Sequence, residues 1–151
     1  MIITVCTDDD ALIKSAEAAS RKEPLIFGSC YRVFAKQIPV LGADENLFIS
    51  AHGVYEGDDN NPVIGDKAAA LFLNGVQAFQ QLASIFPANY RASVYISACE
   101  AADHADDDFS FAEIFKAQLQ GARRQAGAVY GQSGSVGLRV PPPADKGWKA
   151  V

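Results

Sequence analysis

The sequence has little cysteine: Cys6, Cys30 and Cys99, odd in number and far apart. They suggest neither a disulfide framework nor a paired-cysteine zinc motif, and a reducing compartment is expected. A long apolar run is missing too. No stretch reaches the roughly 18 residues that span a bilayer, so no membrane partner is expected. The opening MIITVCTDDD has neither a basic region nor a long apolar one. It predicts no secretory signal and a cytoplasmic protein. Positive charge is in deficit, with a net charge of −5. That argues against a basic nucleic-acid surface, and no nucleic-acid partner is expected. Repeats, low-complexity tracts and breaks in composition are absent as well. What remains is 151 residues, 49% apolar and 21% charged, the balance of one globular domain over 1–151. Residues 140–151, opening on VPPPADKG, read as an irregular tail.

Short β-branched and apolar runs at 2–7, 24–29, 46–53, 92–99 and 127–134 predict buried strands. Three helices are predicted between them. Residues 8–22 put acids in the first turn and bases in the last, as the helix dipole favours. Residues 74–86 start on Asn74 as N-cap and stop at Pro87. Residues 110–124 start on Ser110, with Glu113 completing a capping box. Residues 54–66 read as a polar loop, with a small hairpin from 62–65 and 70–73. Strands that are apolar throughout and alternate with helices predict an α/β sandwich with a mainly parallel sheet.

Two of these strands end alike. LFISAHG (47–53) finishes on His52 and Gly53, and VYISACE (94–100) on Cys99 and Glu100. Ligands of open parallel sheets bind at the carboxyl ends of the strands. Adjacent strands lie about 5 Å apart. If these two are neighbours, His52 and Cys99 share one crevice. An imidazole can take the proton of a thiol, which becomes a nucleophile only as thiolate, and can return it to a leaving amine. The Gly53 N–H, on a residue that lets substrate approach closely, and the Cys99 N–H would serve a developing oxyanion.

On these residues the chain resembles the caspase-like cysteine peptidases of clan CD. That group includes caspases, gingipains, clostripain, legumain, separase and the self-cleaving domains of large bacterial toxins. They share an apolar block ending in His-Gly and a later one ending in Ala-Cys or a close variant. The interval from His52 to Cys99 is near the roughly 50 residues of caspases. The resemblance spans about 46–134. It implies a caspase-like three-layer α/β/α sandwich and a cysteine endopeptidase with Cys99 and His52 as dyad and Gly53 in the oxyanion hole. Its partner would be a peptide or protein substrate. SACEA stands here in place of the caspase Gln-Ala-Cys-Arg-Gly signature, so substrate preference stays open.

The acidic runs YEGDD and DHADDD flank the expected site. Glu56, Asp58 and Asp103 would favour a basic substrate side chain, although a solvated face is the commoner meaning of such runs. No cofactor and no bound metal are expected. Calcium is the one candidate, since some members of the resembled group depend on it, but the spacing fits no EF-hand loop. The resemblance also implies that AVYGQSGSVG (128–137) can pair with an extended substrate, with Ser133 and Ser135 leaving room for it. His104 lies in an acidic loop and reads as solvated.

Three alternatives compete. A catalytically inactive caspase-like binding or regulatory domain would keep the scaffold without turnover. A phospho-receiver is disfavoured, because His52 stands where the phosphorylated Asp would. A phosphatase using Cys99 is disfavoured, because the following EAADHADDD would repel phosphate.

Overall fold

The computed structural model describes residues 1–56, 60–68, 71–104 and 108–151. The chain is mixed α/β. Strands β1 (Ile2–Thr4), β2 (Cys30–Arg32), β3 (Leu47–Ser50), β7 (Val94–Ser97), β8 (Val129–Gln132) and β9 (Trp148–Ala150) form one sheet. Its order is β2-β1-β3-β7-β8-β9, and only β9 runs antiparallel. Strands β4 (His52–Glu56), β5 (Asn61–Gly65) and β6 (Phe72–Asn74) form a separate antiparallel sheet. The helices are α1 (Asp10–Lys22), α2 (Pro24–Phe27), α3 (Gly75–Leu82) and α4 (Phe111–Gly121).

Side-chain alternation along the parallel strands assigns the helices to faces. Ile3, Ile49, Ile96 and Val129 share one core with Phe79 and Leu82 of α3 and with Phe115 and Leu119 of α4. Ile2, Phe48 and Tyr95 point the other way, onto Ala16 of α1 and Phe27 of α2. On that second face Phe48 stacks on Tyr95 at 5.0 Å and Tyr95 on Tyr130 at 4.8 Å, an aromatic row across three strands. Burying each such side chain contributes about 1.5–3 kcal/mol.

Both capping boxes are present. Asn74 accepts from Gln77 N–H and Ser110 from Glu113 N–H, while the Gln77 and Glu113 side chains accept from the cap N–H groups. Helix α3 ends in a 3-10 turn (Ala83–Ile85) short of Pro87.

Three expectations need correction. Residues 24–29 contain no strand: Pro24 opens the short helix α2, and Gly28, at φ +61°, ends it. A short apolar run cannot separate the two states. Here Leu25 is wholly exposed, so its hydropathy does not report burial. The run 46–53 is two strands in two sheets. Ala51 N–H still donates to Ser97 O, but His52 already pairs with Gly65 in the second sheet. His52 therefore starts β4 and does not end β3. Finally, 140–151 is not wholly irregular. Val140 is buried, and Trp148–Ala150 adds β9 to the sheet edge.

Candidate active site

Register brings the two strand ends level. Strands β3 and β7 are parallel neighbours with Ser50 opposite Ser97, so His52 and Cys99 each stand two residues beyond a matched pair. Gly53 lies on the Cys99 backbone: an added Cβ would come well inside contact of the Cys99 carbonyl oxygen and within 3.0 Å of its nitrogen. Only glycine lets the two segments approach this closely. Among the described residues, the Cys99 N–H has no hydrogen-bond acceptor.

The imidazole faces a carboxylate. His52 Nε2 is 2.9 Å from Asp9 Oδ2. Asp9 is also the N-cap of α1, accepting Leu12 N–H at 3.0 Å. The Leu12 N–H holds the Asp9 carboxyl below its ordinary value against the opposing effect of burial, and the His52 ring adds to this. An ionised Asp9 accepts a hydrogen bond from Nε2–H, which leaves Nδ1 as the basic nitrogen of a neutral ring. The neighbouring loop is fixed by Asp66, 4% exposed, whose carboxylate accepts both the N–H and the hydroxyl of Thr7.

The thiol faces a different partner. Cys99 Sγ accepts Val136 N–H at 3.3 Å and donates to Val136 O at 3.6 Å. The backbone segments that carry thiol and imidazole are thus close in the fold, yet each of the two groups is bonded elsewhere. After Cys99 the chain turns sharply, with Glu100 at φ +58°. That turn is tied to the end of β8 by Glu100 N–H to Gly134 O and by Ala102 N–H to Gln132 O. Such a backbone conformation is costly for a residue with a Cβ and concentrates at functional sites.

The expected substrate-binding residues divide. Glu56 is exposed at the far end of β4, about 13 Å along the strand from His52 at the usual rise per residue. It does not join the site. Asp58 lies outside the described residues. Asp103 is near but committed: it accepts Gly134 N–H at 2.5 Å and lies 3.8 Å from Lys149 Nζ. Burial works to raise the Asp103 carboxyl, but the Gly134 N–H, with Ser133 and Lys149, holds it below its ordinary value. Ser133 and exposed Ser135 flank Gly134, next to Val136, which meets the thiol. The backbone of 132–134 is used internally, which removes part of the edge expected to pair with substrate.

His104 is not simply solvated. Its Nδ1 lies 2.9 Å from Asp108 O, and its Nε2 lies 3.5 Å from Glu113 at the start of α4. Cys6 is buried, and burial pushes its thiol up. Cys30 is pushed up to about 11, mainly by burial.

Asp9 and Val136 escaped the sequence reading. Asp9 carried a helix-start signal, but its second role depends on β1 lying beside β3. Nothing in the sequence marks Val136. Among the described residues, no group of three or more His, Cys, Asp or Glu side chains could hold a metal ion, and no helix is long and apolar enough to cross a membrane. Compared with known proteins, the chain matches no family model, no curated protein and no solved structure.

Proposed function

We propose that the chain is a cysteine endopeptidase of the caspase-like type, acting from the carboxyl edge of its parallel sheet. The observation that carries this reading is the register that sets His52 level with Cys99, with Gly53 against the Cys99 backbone. His52 Nδ1 takes the thiol proton, and the thiolate sulfur attacks the scissile carbonyl carbon. The oxyanion is met by the N–H groups of Gly53 and Cys99. The imidazolium returns its proton to the departing amine, and water then hydrolyses the thioester. Asp9 is a positioning residue: it fixes the tautomer and supports the charge that His52 gains.

The natural partner is a peptide or protein in extended conformation. Exposed Asp8, which with Asp9, Asp66 and Lys67 lines a neighbouring cavity of about 550 Å³, supports a preference for Arg or Lys. The test is hydrolysis of a peptide library, with Arg and Lys represented at the cleavage position, by wild type and Cys99→Ala. Turnover by wild type alone is expected. Equal turnover by the folded Cys99→Ala variant would sink the reading.

A second reading, a non-catalytic binding domain on the same scaffold, is favoured by one fact. The imidazole is bonded to Asp9 and the thiol to Val136, and neither to the other. It predicts no hydrolysis of any library member, with peptide binding unchanged in Cys99→Ala.

A further inference from the structure

The segment after β8 crosses the nucleophile. Both main-chain polar groups of Val136 meet Cys99 Sγ, so a peptide of the chain itself lies against the thiol of half-exposed Cys99. The crossing has two anchored ends. At one, Gly134 turns with φ +62°, accepts Glu100 N–H and donates to Asp103. At the other, Leu138 O accepts the Ser15 hydroxyl of α1 at 2.9 Å, the Leu138 side chain packs with Cys6, Leu12 and Ile13, and Val140 enters the core at 1% exposure. Between the anchors, Ser135 and Gly137 are exposed, and a Cβ added at Gly134 or Gly137 would meet nothing within 4 Å. The middle of the segment is therefore held chiefly by the thiol contacts, and sulfur is a weak donor and a weak acceptor. Firm ends with a weakly held middle describe an element that opens locally while the fold stays intact.

We propose that residues 133–140 form a strap held against half-exposed Cys99 in this structure, which narrows the path to the sulfur, so that lifting it off the thiol speeds attack by an electrophile. The Ser15–Leu138 anchor sets how often it opens. The strap goes beyond the peptidase reading and does not depend on it, because it concerns access to the sulfur and not its activation. If the peptidase reading holds as well, substrate must displace Val136 from the sulfur before the thiolate attacks.

The test is the rate at which iodoacetamide alkylates Cys99, followed by mass spectrometry of the peptide that contains it. At about pH 10, above the ordinary thiol range, a thiol ionises without help from His52, so the rate reports access. Wild type is compared with Ser15→Ala/Leu138→Ala and with Ser15→Ala alone. The single variant is safe for folding, because alanine is the best helix former. The double variant is expected to react about tenfold faster than wild type, and the single variant about threefold faster, with unchanged circular dichroism. If the double variant fails to fold, Ser15→Ala alone decides. Unchanged rates in the folded variants would overturn the proposal. So would a wild-type rate equal to that of the urea-unfolded chain.

Discussion

The two ends of the parallel sheet are built for different purposes. At the amino end, polar groups staple the strand starts. The Met1 amino group donates to Asn46 O at 2.8 Å, Asn46 Oδ1 accepts Ser93 N–H at 3.0 Å, and buried Tyr90 donates to Ser93 O at 3.1 Å. Arg91 pairs with Asp44 through both carboxylate oxygens. At the carboxyl end, polar groups surround a thiol and an imidazole. A positive-φ turn and a glycine in forced contact lie there as well. Polar groups at the first end tie strands to one another. Those at the second end orient groups that can react. The parallel sheet explains the asymmetry, since only its carboxyl end gathers the loops that leave β1, β3 and β7.

The sharpest break between the ends is in activity. Cys99→Ala or His52→Ala is expected to lower peptide turnover by about 10³-fold or more. Cys30→Ala, far from the imidazole, should leave it unchanged. Library assays on the three folded variants check this. A surviving Cys99→Ala activity would erase the distinction between the two ends.

Next in size is Gly53→Ala. The new Cβ has no room beside the Cys99 carbonyl, and the clash is with backbone: Gly53 is held in β4, and Cys99 lies in the turn after β7. A loss of more than about 3 kcal/mol is expected in urea denaturation. The control is Gly121→Ala at the end of α4, where nothing lies within 4 Å. It should be neutral, or stabilising by up to about 1 kcal/mol.

These two glycines also show what was legible in the sequence. The apolar runs, both capping boxes and the β3–β7 pairing could be read, because they depend on local chemistry and on strand alternation. Gly53 is legible as a candidate because it follows His52 directly, and the structure sets it against the Cys99 backbone. That His52 begins a second sheet was not legible, because LFISAHG is apolar across the break and the change of sheet is made by long-range pairing with Gly65. Leu25 and Ile26 misled for the opposite reason: they are apolar but exposed, on a short helix. Asp9 stood in an acidic run that resembles any solvated helix start. Only the chain crossing from β1 to β3 gives it an imidazole.

A smaller effect tests Asp9 itself. Asp9→Asn keeps an N-cap acceptor for Leu12 but puts a donor or a neutral oxygen against His52. Activity should fall about 10- to 100-fold with little loss of stability, whereas Asp9→Ala should also cost about 1 kcal/mol. Acid should act on the same groups. Asp9 and Asp103 sit below their ordinary values in the folded chain. Their contribution is complete above about pH 4 and fades as pH falls through the lower folded values. Stability measured from pH 6 down to pH 2 should decline below about pH 4, less steeply in Asp9→Asn.

The smallest effect belongs to the amino end. Arg91→Ala removes an ion pair whose partners are 63% and 69% exposed. It should cost under about 1 kcal/mol and leave turnover untouched.

The central claim is that His52 activates Cys99. The most direct measurement is the alkylation rate of Cys99 by iodoacetamide at about pH 7, in the Ser15→Ala/Leu138→Ala background, with and without His52→Ala. A fall of tenfold or more on losing His52 is predicted. Equal rates in the two folded proteins would contradict the account, because the two residues would then share an edge without sharing a proton.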